Sequence, residues 1–281
     1  MSELTRRVAG LALAAAGGAL AVAAASRYVA PYRPQLEHVA VPAPAGHDGL
    51  AGLRIGFVTD THIGPFISLA NLDHGLALLE REHPDLLLLG GDFASESPRF
   101  VESAVARFAG AARRAPLGTL AVLGNHDFTA GPIRVATALQ EHGIPVLRNE
   151  ARCIRRCGAD LWIVGLDETL LGRADPDRAF ASVPAGAAAL ALWHEPDGAE
   201  ACAGRGAFLQ LSGHSHGGQV RVPLLGPLAA PPGGRRYVAG SYRVGRMTVY
   251  TSRGLGTYRP PVRFRCPPEI TLITLTAPSS E

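Results

Sequence analysis

Short apolar runs, each closing on a polar residue, alternate with amphipathic stretches through the first half of the chain. "LRIGFVTD" (53–60), "PDLLLLGGD" (84–92) and "GTLAVLGNHD" (118–127) have the length and the glycine, proline or acid boundaries of buried strands. Between them the apolar spacing lengthens to the helical period. It runs from Ser68, placed as an N-cap, through "LANLDHGLALLERE", then over 98–114, and again over 132–142. Such alternation predicts an α/β sheet whose ligand sites lie at the carboxyl ends of the strands.

After residue 145 strands crowd together. "DLWIVGLDE", "AALALWHEPD" and "AFLQLSGHSH" read as strands, with a short helix over 197–204. From 219 onward come short strands and Gly/Pro turns. "RYVAGSYRVGRMTVYTSRG" has the pattern of a hairpin, and the alternating, β-branched "EITLITLTA" closes the domain. No internal repeat appears. The pattern predicts a second sheet packed on the first, with helices outside both, in one continuous domain over 53–278. Ahead of it, 31–52 reads as a proline-rich linker with room for one edge strand.

The first 30 residues differ in kind. Arg6 and Arg7 precede an uncharged stretch, Val8 to Ala25, that ends in small residues, the outline of an export segment. Paired arginines suggest the twin-arginine route, and Ala23 to Ala25 offer a cleavage site. Its length also suits a membrane anchor, so cleavage and anchoring both stay open. Arginines on the N-terminal side place the remainder at the cell membrane or exported, outside the cytoplasm. Composition adds little. All 27 basic residues are arginine, and a net charge of +3 without a basic block gives no indication of nucleic-acid binding. Cys153 and Cys157 fall in a predicted strand, where i and i+4 are about 13 Å apart and cannot bridge one another. Structural or unpaired thiols are the better reading for these and for Cys202 and Cys266.

The strand ends collect Asp60 and His62 ("DTH"), Asp92 ("GGD"), Asn125, His126 and Asp127 ("GNHD"), His194 ("LWHEPD"), and His214 with His216 ("GHSH"). Singly, each has a plain explanation: Asp60 caps a turn, Asn125 takes a left-handed position, His194 is a core histidine. Together, five apolar strands end in carboxylate, imidazole and carboxamide groups, a donor set suited to two divalent ions of Mn, Fe or Zn. In an extended segment, His214 and His216 lie about 6 to 7 Å apart on one face, so each can hold a different ion of a close pair.

In that order, D-x-H, G-D, G-N-H-D, a lone His and G-H-x-H resemble the calcineurin-like metallophosphoesterases over about residues 50–278. "DTHIGPFIS", "SGHSHGGQV", "YVAGSY", "SRGLGT" and "PPEITLITL" are most similar to their membrane-associated YkuE/YaeI-like phosphodiesterase branch. The resemblance implies an α/β (α+β) fold, a four-layer αββα sandwich of two mixed sheets with a dinuclear metal site at the strand C-terminal ends. It implies that Asp60, His62 and His216 hold one ion, Asn125, His194 and His214 the other, and that Asp92 bridges them, each of its oxygens touching one. A hydroxide between the ions is then the nucleophile that hydrolyses a P–O bond, most naturally of a phosphodiester. His126 is left to protonate the leaving alkoxide, and Asp127 either orients the His126 ring or caps the strand-to-helix turn. Many relatives carry a second acid after G-D, where this chain has Ala94 and Ser95.

Two alternatives stand beside this reading. One is a non-catalytic exported metal-binding protein. The other is a lipid-linked diphosphate pyrophosphatase of the UDP-lipid type, with an envelope lipid as substrate and Arg235, Arg236, Arg253, Arg259 and Arg263 binding further phosphates. Oligomeric state is not readable from the sequence.

Overall fold

The computed structural model describes residues 3–95, 97–171 and 173–278, so the first two positions of the expected export segment lie outside the described residues. Thirteen strands run in chain order: β1 Gln35–Pro42, β2 Arg54–Val58, β3 Leu86–Leu89, β4 Thr119–Ala121, β5 Glu150–Arg156, β6 Ala159–Gly165, β7 Ala188–Leu192, β8 Ala207–Ser212, β9 Arg221–Val222, β10 Gly226–Pro227, β11 Gly240–Val244, β12 Met247–Thr251 and β13 Glu269–Thr276. The helices are α1 Glu3–Tyr28, α2 Leu69–Glu80, α3 Val101–Arg114, α4 Asn125–Ala130, α5 Pro132–Glu141, α6 Pro176–Phe180 and α7 Ala199–Ala203.

Two mixed sheets form the centre, ordered β1-β13-β2-β3-β4 and β11-β12-β8-β7-β6-β5. Side-chain alternation explains the layering. Leu86 and Leu88 of β3 face the second sheet, while Leu87 and Leu89 face α2 and α3. On the other side, Leu190 and Leu192 of β7 meet the first sheet, and the small Ala189 and Ala191 let α6 and α7 pack close. Strands buried on both faces read as unbroken apolar runs, which is why the sequence pattern locates them well. The result is the expected four-layer αββα sandwich.

Boundaries shift in two places. The one edge strand expected in the linker is β1, paired in parallel with β13 over eight residues from Gln35↔Glu269 to Pro42↔Thr276. With Val41, Ala43 and Leu50 also buried, the folded unit begins well before residue 53. The run expected to continue as strand through residue 127 ends at Ala121, and "NHD" opens α4. Ser68 caps α2 as expected, its hydroxyl and amide both donating to Asn71 Oδ1, and Tyr237–Gly254 contains the β11–β12 hairpin. All four cysteines are free thiols.

Helix α1 stands away from this body. Leu4, Leu11, Leu13 and Leu20 are each more than 70% exposed, and the helix is long and apolar enough to cross a membrane. At about 1.5 Å per residue its length exceeds the roughly 30 Å of a bilayer core. Only its last turn touches the domain, where Ser26 is buried and its carbonyl accepts from the Arg263 N–H at 2.9 Å.

Candidate metal centre and cleft

The carboxyl ends of β2, β3, β7 and β8 and the start of α4 meet where the two sheets face one another. Asp60 and His62 follow β2, Asp92 follows β3, Asn125 and His126 open α4, His194 follows β7, and His214 and His216 follow β8. Five of these, Asp60, His62, Asp92, His214 and His216, have φ between 45° and 65°. A left-handed backbone is uncommon outside glycine and costs about 1 kcal/mol or more at each position, so a cluster of five marks a site that the surrounding fold holds in place. Close approach also demands small neighbours. A Cβ on Gly124 would strike Asp92 Oδ1, and one on Gly213 would strike Asp60 Oδ2.

Two donor groups result. Asp60 Oδ1 lies 3.4 Å from His216 Nε2 and 3.9 Å from His62 Nε2, and those two nitrogens face each other at 3.0 Å. Ligands each about 2.1 Å from a common ion would stand about 3 Å apart, so the spacing fits a cation. In the second group, His194 donates from Nδ1 to the Gly90 carbonyl at 2.7 Å, and His214 from Nε2 to the Pro232 carbonyl at 2.8 Å. A carbonyl only accepts, so each bond commits one ring nitrogen as a donor and turns the other toward the centre. Asn125 Oδ1 is buried without a hydrogen-bond partner, a state that metal ligation would relieve.

Asp92 joins the groups, though not through both oxygens as expected. Its Oδ2 stands 3.4 Å from His62 Nε2 and 3.3 Å from His194 Nε2, while Oδ1 accepts the His126 backbone N–H at 2.9 Å. One oxygen therefore faces both donor groups, and the other is held by the backbone.

Burial sets the protonation. It pushes His62 down to about 3 and His214 down to about 4, and it holds His216 well below the usual imidazole range. These rings are neutral and their lone pairs free to ligate. Burial also lowers His194, but the Asp92 and Asp60 carboxylates outweigh it and hold His194 well above that range. Asp92 is correspondingly depressed: burial raises it, and His194 and His62 more than reverse the effect. Burial, reinforced by Asp92, pushes Asp60 up to about 6.

Asp127 does not reach the His126 ring. Its carboxylate accepts from the backbone N–H groups of Asp92 at 2.7 Å, Phe93 at 3.0 Å and Gly124 at 3.0 Å. The capping alternative is what the fold uses, extended to pin the Asp92 loop. His126 instead lies edge-on to His62, with ring centroids 4.9 Å apart, and 4.7 Å from the ring of Tyr258. Three residues beyond Asp92, Ser95 Oγ donates to the Ile63 carbonyl at 3.3 Å.

A cleft of about 640 Å³ opens over Asp92, Asn125, His126, His214 and His216. Its far wall is apolar, with Leu170, Val220, Leu228, Pro231 and Pro260, and Arg259 stands at its mouth. Of the five arginines that the alternative reading offers to further phosphates, Arg259 alone lines this cleft. Arg263 is fully buried and donates to the carbonyls of Arg253, Gly254, Gly256 and Cys266, which hold the loop behind His216. Arg253 pairs with Glu37 and Glu269, Arg236 with Glu200, and Arg235 bonds the Ala230 carbonyl.

Two residues were missed from sequence. Tyr258 packs on His126, and its only signal is a place in "GLGTYRP". Glu195, beside His194 in "HEPD", is buried within ligand range of His194 and His214, accepts from Thr169, and is pushed up to about 7 by burial.

The geometry has parallels in known proteins. Residues 53–218 match the model of the calcineurin-like phosphoesterase family. The metallophosphoesterase YkuE of Bacillus subtilis (strain 168) is 30% identical over 282 residues, covering 98% of this chain and 99% of that protein. Phosphodiesterase YaeI of Escherichia coli (strain K12) is 36% identical over 233 residues, 81% of this chain and 84% of its own length. A Danio rerio transmembrane protein with metallophosphoesterase domain is 29% identical over 258 residues, 86% of this chain and 57% of that protein.

Proposed function

Because the chain belongs to the calcineurin-like phosphoesterase family, and is by that membership a metal-dependent phosphoester hydrolase, we propose that it is a membrane-tethered phosphodiesterase working with two divalent cations. The observation that carries this reading is the single Asp92 oxygen within 3.4 Å of His62 and 3.3 Å of His194, one imidazole from each donor group.

Asp60, His62 and His216 would hold one cation, and Asn125, His194 and His214 the other, with Asp92 between them. The donor set of imidazole, carboxylate and carboxamide favours Mn, Fe or Zn. Cations bound there supply Lewis acidity to a phosphoryl oxygen and bring the pKa of a coordinated water near 7. The chain's own part is positioning and proton transfer. Asp127 fixes the Asp92 and Gly124 backbone through three amides, and the His126 N–H holds Asp92 by its other oxygen. The His126 ring, on the cleft wall and packed on Tyr258, delivers a proton to the departing alkoxide. Arg259 offers its guanidinium to a phosphate entering the cleft.

In this reading helix α1 tethers the enzyme, and Arg6 and Arg7 before its apolar stretch favour an extracytoplasmic domain reached by a twin-arginine export route. The apolar far wall also supports a second reading, in which the same centre cleaves a lipid-linked diphosphate.

The test is hydrolysis of bis(p-nitrophenyl) phosphate by the full chain in detergent, stripped of metal and refilled with Mn, Fe or Zn. Metal-restored turnover, lost in Asp92→Asn and His126→Ala, is the expected result. Two ions bound without turnover on either a diester or a diphosphate would overturn the catalytic reading in favour of metal binding alone.

A further inference from the structure

Leu224 and Leu225, at the tip of the β9–β10 hairpin, are 107% and 77% exposed, and Leu228 beside them is 63% exposed. A single exposed leucine is ordinary, but three within five residues at the rim of a catalytic cleft form a patch. The surrounding segment 222–234, "VPLLGPLAAPPGG", carries no charge and is bracketed by Arg221 and by Arg235 with Arg236. An apolar tip between cationic shoulders is complementary to acyl chains beneath phosphate head groups. The backbone suits a poorly hydrated layer as well. Pro223 and Pro227 have no N–H, and the N–H groups of Leu225 and Leu228 already bond the Val222 and Val220 carbonyls.

Position supplies the second, independent argument. Arg221 donates to the Phe264 carbonyl and Phe264 to the Gln219 carbonyl, so the hairpin base is stitched to residue 264. The adjacent Arg263 N–H bonds Ser26 in the last turn of α1. Across the cleft mouth, Arg27 of α1 and Arg259 both stack on Phe66, at 5.9 and 5.7 Å. Membrane helix and hairpin base are thus joined by consecutive backbone contacts, and the cleft residue Arg259 shares Phe66 with Arg27 of the helix.

We infer that the β9–β10 hairpin dips Leu224, Leu225 and Leu228 into the leaflet from which α1 emerges, and that the cleft takes a lipid-borne phosphoester directly from that leaflet. This rests on the reading of the protein as a tethered phosphodiesterase. The tip is small, but α1 makes its insertion an intramolecular event, for which a weak contact suffices. Leu228, on both the tip and the cleft wall, makes the path from bilayer to metal centre continuously apolar on one side.

The test places tryptophan in the full chain, reconstituted in phosphatidylcholine/phosphatidylglycerol vesicles with brominated acyl chains. Val22→Trp reports α1, Leu225→Trp the hairpin, and Ile133→Trp an exposed site on α5. Quenching of the first two beyond the native Trp162 and Trp193 baseline, with none at 133, is expected. Quenching at 22 without 225 overturns the inference and leaves the tether standing, whereas none at either site removes both. Leu224→Asp combined with Leu225→Asp should lower kcat/KM about tenfold on a diacylglycerol p-nitrophenyl phosphodiester in the same vesicles and leave bis(p-nitrophenyl) phosphate hydrolysis unchanged. An equal loss on both substrates, or on neither, refutes leaflet feeding. Loss of self-association in that variant, with no quenching at 225, would instead assign the patch to a second copy of the chain.

Discussion

The first sheet brings mostly oxygen to the centre and the second brings nitrogen. Strands β2, β3 and the segment after β4 deliver Asp60, Asp92 and Asn125, with His62 the exception, while β7 and β8 deliver His194, His214 and His216. Each half is aimed by the other. The first sheet's Gly90 carbonyl orients the His194 ring, and the His214 backbone N–H holds both oxygens of Asp60 at 3.0 to 3.1 Å. The group of Asp60, His62 and His216 and that of Asp60, Asp92 and His194 each draw on both sheets, so these parts of the centre depend on how the two sheets pack.

The strongest way to break the comparison is at the residue facing both halves. Asp92→Asn should reduce kcat/KM by roughly 10⁴-fold and lower the bound metal, read by turnover and elemental analysis. A variant that keeps two ions and full turnover would show that the sheets need no shared carboxylate. His126→Ala should cost roughly 10² to 10³-fold in kcat with metal content unchanged, and most for esters with poor leaving groups. Equal losses on good and poor leaving groups would remove its role as acid.

Asp127→Asn sharpens the contrast between ligating and positioning. Replacing an acceptor of three amides with a group that has one oxygen should destabilise the protein by about 2 kcal/mol and weaken cation binding about tenfold, seen in thermal melts and metal titration. Next comes proton release. His194 is held above the usual imidazole range by Asp92 and Asp60, so at pH 7 it carries a proton that a cation must displace. Affinity should therefore rise with pH, with about one proton released per protein in calorimetry across buffers of different ionisation enthalpy. Binding without release would remove His194 from the ligand set. The smallest effect belongs to the rim: Arg259→Ala should raise KM about two- to fivefold at unchanged kcat, because a solvent-exposed guanidinium is well screened.

What the sequence made legible follows the same division. Strand ends were readable because double-sided burial produces uninterrupted apolar runs, and the polar residue closing each run stands out. The β1–β13 pairing was not, since Gln35 and Glu269 lie far apart in the chain and their register comes from packing. Asp127 was ambiguous because a carboxylate that bonds three amides is spelled like one that orients a ring. Arg263 stood among the candidate phosphate binders of the alternative reading because nothing local separates an arginine locked among carbonyls from one in solvent. Tyr258 had no pattern of its own, and its contact with His126 exists only once the loop after β12 folds over the cleft.

Six residues, 29–34, separate the end of α1 from β1, and β1 is then sewn along the whole of β13. Fully extended they would span only about 20 Å, and the bond at Ser26 shortens the leash further. With α1 in a bilayer, the catalytic body cannot roam the compartment beyond it. Its encounters become two-dimensional, so turnover should depend on lateral diffusion and on substrate per unit of membrane area, and diluting the vesicles at fixed surface composition should leave the rate per enzyme unchanged.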